Sequence, residues 1–311
     1  MHWLSPHQQL LSSQIEAQQL PHALLITGVK HAGKRELARW LSGVIACHTP
    51  IKDRDNILQS CGHCKHCLLI KGETYPDNHL LESDKNSHKV DEIRKVTQYL
   101  QKTPQLGVYQ VVTIDDAHCM NVSASNALLK TLEEPTPSSL LLLLTDQKSQ
   151  LLETVISRCQ SIDLKPYVGQ QLAQHFNVEI DDPYLNLTHL AQLTSSETHQ
   201  NYLTQQSNFI NFLLGQFPLV QLASDIANQE QGYQFLQQTI ATLVRESNQW
   251  QGQSNDSLYQ QISHLITPSS LFSINKLLLS LVALNHQAQT NKQLQTEKFL
   301  ISVQQLINNK K

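Results

Sequence analysis

Up to about Tyr167, short apolar runs alternate with stretches whose apolar residues recur at helical spacing, the pattern of a parallel α/β sheet. Ala23 to Thr27 (ALLIT) is an apolar run ending at Gly28. A helix is predicted from Lys34, with Leu37, Trp40, Leu41 and Val44 forming its apolar stripe. His79 to Leu81 reads as a short strand, and Val90, Ile93, Val96 and Leu100 share one helical face. Tyr109 to Ile114 (YQVVTI) and Leu140 to Thr145 (LLLLLT) read as two further strands. Between them a helix is predicted from Ser123 to Glu134, stopped by Pro135. Gln160 to Leu164 is the final strand predicted.

After Lys165-Pro166 the strand signals fade. Successive amphipathic helices follow, including Phe209 to Leu214, Phe235 to Val244 and Leu271 to Leu284. Breaks are expected at Asp182-Pro183, Pro218, Gly252 to Asn255 and Pro268. No repeat of fixed period is present, and the helical remainder carries little chemistry of its own.

Composition narrows the function. The 311 residues allow two domains and a small third, and only 16% of them are charged. The polar surface is therefore carried largely by amides, 38 of them Gln. Net charge is −3, with 17 basic and 17 acidic residues up to Tyr167 and 6 basic against 9 acidic beyond it. Neither part is basic enough to hold nucleic acid by charge alone. No basic stretch leads into an apolar one near Met1, and the run Leu140 to Leu144 is too short to cross a bilayer, so a cytoplasmic protein without membrane contact is expected.

The six cysteines are not spaced like a disulfide framework. Cys61-x-x-Cys64-x-x-Cys67 overlaps two C-x-x-C turns, and Cys47 closes the preceding helix. Four thiolates satisfy a tetrahedral Zn²⁺ in a closed structural shell. An iron–sulfur cluster and unmetallated thiols are the alternatives. His63 and His66 interleave the cysteines; either is able to replace a thiolate, and the simpler reading leaves both facing solvent. Cys119 and Cys159 read as small buried side chains rather than ligands.

Two motifs point to nucleotide chemistry. Gly28-Val-Lys-His-Ala-Gly33-Lys34-Arg35, between a strand and a helix, matches the phosphate-binding G-x-x-x-x-G-K-[ST] pattern at every position but the last. Gly28 and Gly33 let backbone N–H groups wrap a phosphate, and Lys34 reaches the terminal phosphates at a helix N-terminus. Arg35 replaces the hydroxyl that ligates Mg²⁺, and a guanidinium ligates no cation. A glycine-containing turn without ligand is the competing reading. Downstream, Val111 to Asp116 runs an apolar strand into two acids. Asp115 suits the Mg²⁺-holding role, whereas Asp116 is one methylene shorter than the Glu that orients an attacking water.

Two last motifs carry a resemblance. Asn126-Ala-Leu-Leu-Lys-Thr-Leu-Glu-Glu-Pro135 follows the acidic strand, and Ser157-Arg158-Cys159 follows the Leu140 to Thr145 strand. Together with Pro21-His22-Ala23-Leu24-Leu25, the degenerate phosphate loop and the four cysteines, they make residues 20 to 167 closely similar to bacterial DNA polymerase III clamp-loader subunits. Within that family the chain most resembles the delta-prime branch. The ATP-hydrolysing gamma/tau branch keeps Ser or Thr where Arg35 stands and Glu where Asp116 stands.

The resemblance implies an AAA+ P-loop α/β parallel-sheet domain over residues 1–165, with an inserted zinc module at about 47–67 bound by Cys47, Cys61, Cys64 and Cys67. It implies a three-helix lid at 166–207 and an all-α collar at 208–311. It further implies a stator in a hetero-pentameric ring with gamma/tau and delta subunits, which loads a sliding clamp onto primed DNA. Arg158 would act in trans on ATP held by a neighbour, while ATP binding at Gly28, Gly33, Lys34 and Asp115 of this chain stays open. Two other readings remain: an active gamma/tau-like ATPase, and a zinc-dependent DNA-binding adaptor outside any ring.

Overall fold

The structure, a computed structural model, describes residues 1–83, 87–176, 185–187, 195–229, 231–248, 258–285 and 291–308. Packing divides the chain into two compact units, Met1–Leu190 and Ala191–Lys311.

The first unit is built on a five-stranded sheet. Its strands are β1 (Ala23–Thr27), β4 (Asn78–Leu81), β5 (Gln110–Ile114), β6 (Ser139–Thr145) and β7 (Gln160–Asp163), in the order β4-β5-β6-β1-β7. All four neighbouring pairs are parallel. Every residue of β1, β5 and β6 is buried, which is why these strands read as uninterrupted apolar runs rather than alternating ones. Between them in sequence lie α2 (Lys34–Ala46), α4 (Val90–Leu100), α5 (Val122–Glu133) and the short α6 (Glu153–Ile156). Ile93, Val96 and Leu100 of α4 and Leu128 and Leu132 of α5 pack with Val112 and Leu141 of the sheet in one buried cluster. Asn121 opens α5, its Oδ1 accepting the Ala124 N–H at 2.8 Å. This is the expected doubly wound architecture, with element ends shifted by a residue: β5 starts at Gln110 rather than Tyr109, and β7 stops at Asp163.

Three features were not anticipated. Helix α1 (Ser5–Glu16) precedes β1, led in by a 3-10 turn at His2–Leu4. Between α2 and β4 the chain makes a hairpin of two-residue strands, β2 (Ile51–Lys52) and β3 (Leu58–Gln59), and then α3 (Lys65–Lys71).

Helix α7 (Gln170–Phe176) is the last helix described in the first unit, and residues 185–187 follow it. Residues 177–184, 188–194 and the expected break at Asp182-Pro183 lie outside the described residues, and with them much of the 166–207 segment. The second unit is helical: α8 (Ser196–Leu213), α9 (Leu219–Asn228), α10 (Gly232–Asn248), α11 (Leu258–Ile262), α12 (Pro268–Asn285) and α13 (Lys292–Asn308). Phe209, Leu222, Ile240, Ile274, Leu278 and Leu300 share its core. Helix α8 runs unbroken through the 207/208 position. Pro218 caps α9 and Pro268 opens α12, where breaks were expected, whereas Gly252 to Asn255 lies outside the described residues.

Candidate functional site

Because the sheet is parallel, the C-terminal ends of its strands share one edge, where ligands of such sheets gather. β1 ends in the Gly28–Gly33 loop, β4 in Glu82, β5 in Asp115 and Asp116, and β6 in Thr145 and Asp146. The loop after β1 and the ends of β5 and β6 enclose an open cleft of about 830 Å³, lined among others by Lys34, Arg35, Asp115, Asp116, His118 and Asp146. The sequence-predicted nucleotide residues therefore do converge.

Their contacts turn inward. Gly33 sits at φ +91°, a left-handed position that favours glycine, and helix α2 starts behind it. The Lys34 ammonium donates to the carbonyls of Gly28 (2.8 Å) and Val29 (3.0 Å), closing the loop on its own backbone. Burial lowers the pKa of this amine, while Asp146, Asp115 and Asp116 pull it back up. Arg35 crosses the cleft to Asp115 in a close ion pair, and its Nη1 lies 2.9 Å from Glu82 Oε1. The bond to Asp115 raises the Arg35 pKa further. Asp115 keeps only 8% of its side chain exposed, so its charge is met by Arg35 rather than by water. Across the cleft His118 lies 3.5 Å from Asp146 through Nε2 and 3.2 Å from Thr145 Oγ1 through Nδ1.

The loop is covered from the N-terminal side. The Trp3 indole donates to Ala32 O at 2.8 Å, and Leu4 packs on Gly33. Trp3 also meets Tyr167 and His175 edge-on, with ring centroids 5.5 and 5.1 Å away. Nothing in the hydrophobic pattern signals this clasp, because its partners lie about 30 and 170 residues away in sequence.

The cysteine cluster forms as expected. Cys47 caps α2, Cys64 caps α3, and the four sulfurs of Cys47, Cys61, Cys64 and Cys67 lie within 4.8 Å of one another. Backbone N–H groups of Cys61, Cys64 and Cys67 point at Sγ of Cys47, Cys61 and Cys64 at 3.3, 3.4 and 3.5 Å. Donation from the His63 and Cys64 backbone pulls the Cys61 thiol down to about 5, whereas burial pushes Cys67 up to about 12. Four converging sulfurs, three of them receiving N–H groups, are a donor set suited to a thiophilic metal. His63 is exposed, as expected. His66 corrects the expectation of a solvent-facing residue: it is 5% exposed, its Nδ1 is 2.9 Å from Ala46 O, and its ring lies against His48 and Tyr75. Cys119 and Cys159 are only partly buried, and neither joins the cluster.

Arg158 lies just past α6, at a distinct place on the first unit. Its Nη2 pairs with Glu133 Oε1 at 2.8 Å, and its Nη1 donates to Thr154 O at 2.9 Å. In this chain it thus has a carboxylate partner of its own.

Residues 5–168 match the family described as DNA polymerase III, delta subunit. The chain is 40% identical over 157 residues to DNA polymerase III subunit delta' of Pseudomonas aeruginosa, covering 50% of this chain and 46% of that one. It is 38% identical over 166 residues to subunit delta' of Escherichia coli, covering 53% and 48%. Subunit tau of Bacillus subtilis is 32% identical over 168 residues, covering 53% and 28%. The chain thus spans about half the length of the delta' relatives it matches.

Proposed function

Since the chain belongs to the DNA polymerase III delta subunit family, we propose that it serves as the delta-prime stator of a bacterial clamp loader. In this reading it joins gamma/tau and delta subunits in a five-membered ring in the cytoplasm. The assembly spends ATP to place a sliding clamp on primed DNA, and this chain does not itself hydrolyse ATP.

The observation that carries the reading is the pairing of Arg35 with Asp115. Phosphoryl transfer from ATP needs Mg²⁺ held by a hydroxyl after the loop lysine and by the acid at the strand end. Here the hydroxyl is absent and a guanidinium occupies the acid. The repulsion between Arg35 and a divalent cation disfavours metal entry as well. Gly28, Gly33 and Lys34 are still able to cradle phosphates, once Lys34 exchanges its two loop carbonyls for phosphate oxygens.

Two further roles belong to this reading. Cys47, Cys61, Cys64 and Cys67 would hold one Zn²⁺ in a closed Cys₄ shell, which cross-links the excursion between α2 and β4 and offers no open position for catalysis. Arg158 would reach across the subunit interface and stabilise charge developing on ATP bound to an adjacent gamma/tau subunit, where a planar guanidinium suits the phosphoryl oxygens.

The direct test is ATP turnover by the isolated chain. No hydrolysis above background is expected with Mg²⁺ present. Steady turnover that survives further purification and disappears in Lys34→Ala would instead identify a gamma/tau-like motor. Salt-sensitive DNA affinity of the lone chain would favour the adaptor reading.

A further inference from the structure

We infer that Glu133 is the residue that positions Arg158 for its action in trans, an inference that rests on the trans role proposed above. Glu133 is the last residue of α5, and Arg158 lies two residues past the last residue of α6. Both helices are anchored in one buried cluster, α5 through Ala124, Leu128 and Leu132 and α6 through Val155, with Cys159 packed against it. The carboxylate and the guanidinium therefore start from fixed backbones.

The pairing geometry leaves the arginine able to act. Arginine has five N–H donors in a planar fork. Nη2 meets Glu133 Oε1 at 2.8 Å, and Nη1 meets Thr154 O at 2.9 Å and Ser157 Oγ at 3.4 Å. Nη1 thus donates twice and Nη2 pairs with the carboxylate, which holds the head by both amino groups and leaves the Nε–H for an anion. Arg158 and Glu133 keep 36% and 50% of their side chains exposed, so the pair stands at the surface where a neighbouring subunit can reach it.

An exposed ion pair adds little to folding stability. Its consequence is orientational. An arginine side chain free to sample its rotamers spends most of its time away from any one pose, and misplacement of about 1 Å costs as much as ~10²-fold in rate. Glu133 removes that freedom before the neighbour arrives. Orientation matters most when charge develops on the phosphoryl group, so the effect belongs in kcat.

The experiment uses the whole clamp-loader complex, reconstituted with this chain unaltered, with E133Q, with R158A, or with both changes. Clamp- and DNA-stimulated ATP hydrolysis is resolved into kcat and KM, with assembly checked by gel filtration. Gln is isosteric with Glu at an exposed helix end, so the fold survives the change. E133Q is expected to lower kcat about tenfold at unchanged KM for ATP, and to add nothing to R158A, since the two residues act as one unit. Unchanged kcat in E133Q, beside an impaired R158A, overturns the positioning role and leaves the finger intact. A loss in E133Q that persists undiminished on the R158A background overturns it too. If R158A itself turns over normally, the finger reading fails and the role of Glu133 fails with it.

Discussion

At the scale of single residues, Arg35 ties together the acids beside the phosphate-type loop. Its aliphatic stem leaves α2 beside the loop, and its head neutralises Asp115, which is 8% exposed, and Glu82, which is 59% exposed. Removing the guanidinium strands the Asp115 charge. A fully buried pair broken in this way costs ~3–5 kcal/mol. Arg35 keeps 46% of its side chain exposed, so water compensates much of that, and Arg35→Ala should cost about 1 kcal/mol. The urea midpoint should fall at an unchanged m-value; an unchanged midpoint would mean that the pair contributes nothing. The sequence marks Arg35 clearly, as the one departure from a phosphate-loop pattern. It does not reveal the partners, because Glu82 and Asp115 meet Arg35 only once the strand order puts β4 and β5 on the same side of β1. His66 escaped for a related reason. A residue between two ligands of a C-x-x-C turn has no side assigned by spacing, and the Ala46 carbonyl that fixes it is 20 residues away.

At the scale of elements, the excursion from Cys47 to Lys71 is the part least able to hold itself. Its hairpin strands are two residues long, far below what is stable alone. A few polar contacts tie it to the helices beside it: Ser12 Oγ accepts the Leu58 N–H at 2.9 Å, the Trp40 indole donates to Leu58 O at 2.8 Å, and Lys52 pairs with Glu16 at 2.7 Å. Structural zinc in small modules contributes on the order of 10 kcal/mol. Cys64→Ser should therefore release the metal and open this excursion to protease while the sheet stays formed. Elemental analysis of native protein is expected to give one zinc per chain; iron, or no metal at all, would contradict the Cys₄ zinc assignment. The same scale explains which elements were legible. β1, β5 and β6 are buried on both faces, and α2 and α4 carry clean apolar stripes. The hairpin has too few residues to show any period. Helix α1 buries only Leu11 and Ser12, so its sequence carries almost no stripe to read.

At the scale of the whole molecule, the chain divides its tasks between two units. The first gathers the loop, the acids, the cysteines and Arg158; the second is a helical body with its own core. In that second unit the periodicity marked parts of α8, α10 and α12 and missed α9, α11 and α13, and a solvated, Gln-rich surface names no partner. Among the described residues, no helix is long and apolar enough to cross a membrane. In the function proposed above, the self-neutralised cleft and the surface arginine belong together: a subunit without hydrolysis of its own would keep one charged group for a neighbour's reaction. Clamp- and DNA-stimulated ATP hydrolysis by complexes carrying wild-type motor subunits and Arg158→Ala in this chain tests that claim most directly. With assembly intact, hydrolysis and clamp loading should both fall at least tenfold, the ~10³–10⁵ of arginine fingers in GTPases being the upper bound for one site among several. Hydrolysis and loading equal to those of the unaltered complex would contradict the account and leave Arg158 as no more than the partner of Glu133.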